Sequence, residues 1–230
     1  MCLLIAYIAL SLDEPMSIFS ICTAYVQEGK LDETIEKLTS TEKHFTQEIG
    51  VLSRNFFQCS IQPHIIWATT EWESEEHHHD AAQFLMKTRR DDRFASIKFG
   101  PEPYFEIFCT ENYDLKIGEL TSDLDIIIVA HGLINTNSKE LFQKLRKQRT
   151  EKVEKKLSWL RTYHNIYAPD EFVAFLGFND EESFNRVRLV GDFLLEEYLF
   201  TGLRQILGMS LIASYNQFIC KPLDIGGRKK

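Results

Sequence analysis

The chain repeats its own order of elements, and an internal repeat constrains the fold more tightly than any single motif within it. In the first half, "IFSICTAYV" (18–26) is an apolar, β-branched and aromatic run that predicts a strand, followed by a turn at Gly29. Leu31, Ile35, Leu38, Phe45 and Ile49 then recur at helical spacing over about 32–48, and Gly50 closes that helix. "VLSRNFFQC" (51–59) and "HIIWATTEW" (64–72) predict two strands around a loop holding Pro63. A second helix starts after Ser74, an N-cap residue with Glu75 and Glu76 in the first turn, where the helix dipole favours acids. "YFEIFC" (104–109) follows Pro101 and Pro103 and completes a βαββαβ unit.

The second half runs through the same order. Its predicted elements are a strand "DIIIVAHGLI" (125–134), a helix from about 138, a strand near 159–166, a strand "EFVAFLGF" (171–178), a helix from 180 and a strand "SLIASYNQFI" (210–219). Asn137 stands three residues before Glu140, a capping-box arrangement. "EWESEE" (71–76) aligns with "GFNDEE" (177–182), placing Trp72 opposite Phe178 and Ser74 opposite Asp180. Each half therefore predicts a four-stranded antiparallel sheet with two helices on one face, the ferredoxin-like arrangement. The bare face of each sheet needs cover, and two such sheets can meet face to face in a closed α+β barrel, within the chain or across a homodimer. The expected organisation is an N-terminal extension (1–15), one unit at 16–112, a polar link around 110–124 and a second, diverged unit at 122–222.

A net charge of −8 and a pI near 5.4 supply no clustered cations for phosphate backbones or anionic lipid, so neither nucleic acid nor membrane is expected as a partner. The apolar run in "MCLLIAYIALSLDEP" falls short of the roughly 20 residues a spanning helix needs, and no basic segment precedes it. Five dispersed cysteines without a Cys-x-x-Cys pair fit reduced thiols in a cytoplasmic protein. No phosphate-cradling glycine loop and no nucleophile elbow occur, which argues against nucleotide-dependent and acyl-transfer chemistry.

Four stretches carry a family resemblance: "VQEGKLDETIEKL" (26–38), "EIGVLSRNFF" (48–57), "EWESEE" (71–76) and "PEPYFEIF" (101–108). In that order they resemble the antibiotic biosynthesis monooxygenase (ABM) family of dimeric α+β barrel proteins, over residues 18–109. The second half resembles it mainly through "FNDEESF" (178–184), so the chain is similar to a tandem, diverged repeat. Members of the family include cofactor-free oxygenases of aromatic polyketides, quinol oxygenases and haem-degrading enzymes, beside proteins with no known activity. The haem-degrading branch uses an asparagine on the first strand, a tryptophan on the second helix and a histidine late in that helix. The matching positions here are Cys22, Ala81 and a residue near Asp91, so haem is not expected; no motif indicates flavin. The resemblance implies a cofactor-independent monooxygenase acting on a small electron-rich aromatic or quinol. The competing expectation is a non-catalytic protein of the same barrel that binds a small ligand or a partner.

Three consecutive histidines stand in the second helix. They cannot converge on one ion, because successive helical residues turn by about 100°. One of them, His77 or His78, can reach a pocket past the small residues Ala81 and Ala82, and imidazole suits base chemistry near neutral pH. Asn55 is the third candidate for catalysis, with Arg54 and His64 as alternates. Trp72, Trp67 and Tyr104 are the candidates for a substrate pocket; Trp67 and Trp72 differ by five along one strand and so face opposite sides of the sheet. His131, within "IIIVAHGLI", is expected to be a satisfied core residue, and the basic stretch 139–156 a solvated helix face.

Overall fold

The computed structural model describes residues 17–42, 49–88, 97–98, 106–111, 115–121, 123–138, 140–142, 144, 147, 156–189 and 212–225. The extension 1–15, Tyr104, Asp91 and most of the basic stretch 139–156 lie outside them.

The first unit runs β1 (Ile18–Val26), α1 (Leu31–Glu42), β2 (Val51–Cys59), β3 (Ile65–Trp72), α2 (Glu75–Thr88), then β4 (Ile97–Lys98) and β5 (Glu106–Glu111). Both β4 and β5 pair with β1 on the same edge, β4 at Tyr25–Val26 and β5 at Phe19–Cys22, so they are two pieces of one fourth strand. The second unit runs β6 (Ile126–Ile134), a helical stretch described at 140–142, β7 (Trp159–Asn165), β8 (Glu171–Phe178), α3 (Glu181–Leu189) and β9 (Ile212–Pro222). The two second helices begin alike, as their sequences predict. The Ser74 hydroxyl accepts the His77 backbone N–H at 3.3 Å, and the Asp180 carboxylate accepts that of Ser183 at 2.6 Å.

All neighbouring strands are antiparallel, in the order β3-β2-β9-β6-β8-β7-β5-β1, and β1 pairs back onto β3. The ring closes within one chain. Within each unit the order is fourth, first, third, second, and the second strand of each unit pairs with the last strand of the other: β2 with β9 and β5 with β7. A pseudo-two-fold axis therefore relates the halves, and no second chain is needed to satisfy the sheet edges.

Strand alternation sends one set of side chains into the barrel and the other towards the helices. The interior is aromatic and comes from both units: Phe57 packs on Trp159 and Phe175 at centroid distances of 5.9 and 5.2 Å, Phe19 on Tyr163 at 4.9 Å, and Trp67 on Phe218 at 5.1 Å. The pseudo-symmetry is not kept in volume. Where the first unit has Ser53 hydrogen-bonded to Glu71 (2.9 Å), the second has Trp159 beside Gly177, whose missing side chain leaves room for Leu124 and the Trp159 β-carbon.

The link between units is less loose than its polar sequence implies. Leu115 and Leu124 are buried, and Ile117 bridges to Leu160. Arg161, which points into the barrel from β7, fastens this segment. It donates to the carbonyls of Ile117 (3.0 Å) and Leu160 (2.8 Å), and its Nη2 lies 3.1 Å from Glu119. Its Nε lies 3.0 Å from Glu111 on β5, a charge contact rather than an aligned hydrogen bond.

Candidate active site

The helix-facing side of the first sheet carries a row of polar residues. Register places Arg54 (β2) beside Thr70 (β3), Thr70 beside Ser20 (β1), and Ser20 beside Phe108 (β5). Arg54 donates from Nε to the Thr70 hydroxyl at 3.3 Å and pairs through Nη1 with Glu42 at the end of α1 at 2.7 Å, while its guanidinium lies 4.9 Å from the Phe56 ring. Burial shapes this pair: desolvation lowers the Arg54 pKa against the pull of Glu42, and raises that of Glu42 against the pull of Arg54. Trp72, 3% exposed, donates its indole N–H to the Ser20 hydroxyl at 3.0 Å. Each of the two hydroxyls thus accepts a bond from its neighbour and keeps its own proton to give.

One histidine of the three reaches this row. His78 stands edge-on between Trp72 (5.1 Å, 88°) and Phe108 (4.4 Å, 82°), one turn before the buried Ala81. His77 points elsewhere. Its ring covers Gly50, where a β-carbon would lie 2.2 Å from the imidazole, and it contacts Ser74 (2.9 Å) and Glu73 (3.8 Å) with its side chain 42% exposed. His79 is exposed and pairs with Gln83.

The remaining sequence candidates separate. The strand carrying Trp67 and Trp72 does split them as parity requires: Trp67 is 2% exposed inside the barrel, on the opposite face from Trp72. Asn55 pairs with Thr69 on that interior face, so the sheet divides it from His78, and its neighbour Arg54 takes the helix side. His64 lies exposed in the loop before β3. Tyr167 was not anticipated. It comes from the β7–β8 loop of the second unit, donates its hydroxyl to Glu75 at the start of α2, and lies 6.3 Å from Phe108. That bond and desolvation raise its pKa. No local signal in the sequence places a second-unit loop over the first unit's helix.

The same face of the second unit differs in kind. The positions equivalent by register to Arg54, Thr70, Ser20 and Phe108 are Leu160, Leu176, Ile128 and Ile219, an apolar row packed with Phe178 and Phe184.

His131 is a satisfied interior residue, as its sequence setting predicts. It faces the barrel interior near one end, bonded through Nε2 to Glu171 at 2.7 Å, and Asn165 donates to the other oxygen of Glu171 at 2.6 Å. The hydrogen bond from His131 is the largest cause holding the Glu171 pKa below its ordinary value, burial opposing it. A carboxylate depressed in the folded state stabilises above its unfolded pKa, and that contribution is lost as pH falls through the lower folded value. The difference in urea midpoint between the native protein and Glu171→Gln is therefore expected to be larger near pH 6 than near pH 3; a gap that widens on acidification would contradict this assignment.

Among the described residues, no group of three or more His, Cys, Asp or Glu side chains is placed to hold a metal ion, and no helix is long and apolar enough to cross a membrane.

The fold and this face define a class: an α+β barrel of two ferredoxin-like units in one chain. Residues 17–84, within the first unit, match the model of the family Antibiotic biosynthesis monooxygenase, so the first unit carries an ABM-like domain. No curated protein sequence matches the chain. Among solved structures, an anthrone oxidase-like protein superposes with a TM-score of 0.65 at 10% identity, over 94% of this chain and 96% of that one. A protein of Fusobacterium nucleatum named as a putative monooxygenase gives 0.65 at 10%, over 92% and 94%. A variant of the chlorite dismutase of Candidatus Nitrospira defluvii gives 0.57 at 11%, over 93% and 94%. At such identities the likeness is one of fold, and its coverage spans both units.

Proposed function

We propose that the chain is a cofactor-independent monooxygenase acting on a small electron-rich aromatic such as an anthrone or hydroquinone, with one site between the sheet and helices of the first unit. The observation that carries this is the contrast of the two units: the first keeps Ser20, Arg54 and Thr70 beneath Trp72 and His78, where the second has only apolar residues. Hydrogen bonds offset the burial of these polar groups, and their presence in one unit and not the other marks this face as the candidate site.

In this scheme His78 takes the acidic C–H proton of the substrate, and Trp72 and Phe108 hold the ring in an apolar setting. The Ser20 and Thr70 hydroxyls and the Arg54 cation stabilise the resulting oxyanion. The carbanion gives one electron to dioxygen, the radical pair joins as a peroxide, and protonation with loss of water leaves the ketone: substrate CH2 plus O2 yields C=O plus H2O. Support comes also from the ABM match and from the fold shared with the anthrone oxidase-like protein. The test is oxygen uptake by metal-free protein over a panel of anthrones and hydroquinones. The expected result is one O2 consumed per anthrone oxidised to its quinone; no turnover across the panel would favour the non-catalytic ligand-binding alternative.

A further inference from the structure

The two seams that join the units are short, three register pairs each, and they differ in one respect. In the β5–β7 seam Cys109 stands opposite Asn165, whereas in the pseudo-symmetric β2–β9 seam Cys220 stands opposite Cys59. The hydrogen bonds around the latter pair fix its type. The Ser60 N–H donates to the Ile219 carbonyl at 2.7 Å, and the Leu223 N–H to the Phe56 carbonyl at 2.9 Å, so Cys59 and Cys220 form a non-hydrogen-bonded antiparallel pair. Such pairs bring α-carbons to about 4.5 Å with both side chains on one face, inside the range of about 4.4–6.8 Å that disulfides span. Both side chains face the barrel interior and are 3% and 1% exposed, and both thiols are free. Burial first, and then the neighbouring Cys59, push the Cys220 thiol above its ordinary range, so attack on an oxidant waits for the seam to open.

We propose that Cys59 and Cys220 are a redox-sensitive pair that forms an intramolecular disulfide, bolting the first unit to the second across the β2–β9 seam. With a peroxide as oxidant, one thiolate attacks the O–O bond to give a sulfenic acid and hydroxide; the second thiol displaces water, so two thiols and one H2O2 yield one disulfide and two waters. The bond would close a loop running through most of the chain, where removal of unfolded-state entropy is greatest.

The test incubates the full chain with hydrogen peroxide, quenches under denaturing conditions with an alkylating agent, and maps peptides. The expected product is a Cys59–Cys220 linked peptide, with a melting temperature raised by about 5–15 °C and restored by dithiothreitol. Cys109→Ala keeps both effects, and either Cys59→Ala or Cys220→Ala removes them. A different pairing, a sulfinic or sulfonic product with no cross-link, or a linked peptide without a rise in melting temperature would each overturn the proposal. Native protein with and without oxidant decides the matter even if the buried variants fold poorly.

Discussion

His78→Ala is expected to lower kcat for the proposed anthrone oxidation by about 10²–10⁴-fold, the usual contribution of a positioned general base. His77→Ala is expected to stay within about twofold of the native rate, because its ring covers Gly50 and pairs with Ser74 and Glu73 instead of joining the row beside His78. His78 does have a structural part to play, since its edge contacts with Trp72 and Phe108 are each of the kind worth about 0.5–1.5 kcal/mol. His78→Gln separates the two roles. It fills much of the same space without a titratable ring, so the melting temperature recovers while turnover does not. Retention of full activity in His78→Ala, or its loss in His77→Ala alone, would remove His78 from the chemistry.

Replacing the buried Arg161 with methionine is expected to cost about 3–5 kcal/mol. At about 2–4 °C per kcal/mol for a chain of this size, that is a drop of roughly 6–20 °C in melting temperature. The cause is what remains behind. Among the described residues, Glu111, with its side chain 5% exposed, would keep only Lys116 at 3.8 Å, and desolvation already raises its pKa against two cations. The carbonyls of Ile117 and Leu160 would also lose a second donor, keeping the backbone N–H bonds they accept at 2.9 and 3.1 Å. Converting both partners, Arg161→Met with Glu111→Leu, should recover a large part of the loss, since no buried charge is stranded. A fall of only a degree or two in the single variant would show that the ion pairs contribute little there.

The repeat, the order of elements, the two helix caps and the opposite facing of Trp67 and Trp72 were legible because each is a local pattern. Parity along one strand needs only that strand. The site was less legible because it depends on register between strands. Leu52 is an extra residue in β2 between Val51 and Ser53, so the strand changes face there relative to β3, and Arg54 rather than Asn55 comes to lie on the side of His78. Ser20 and Thr70 read as ordinary strand residues until pairing sets them in one row with Arg54. Tyr167 was out of reach for a further reason: it is ninety-two positions from Glu75, and only closure of the barrel within the chain brings the two together. His131 sits among apolar neighbours in sequence, yet its partner Glu171 arrives from β8, and Asn165, which donates to Glu171, from β7.

Closure within a single chain also changes what a gene can do with the two halves. In a barrel built from two identical subunits, any substitution appears twice, and a face that gains an ion pair for chemistry gains it on both sides. Here the copies are edited separately. The second could exchange its polar row for Leu160, Leu176 and Ile128 and become a stiff mate for the first. On the function proposed above, the stoichiometry is one ligand per barrel, half that of a barrel with two working copies.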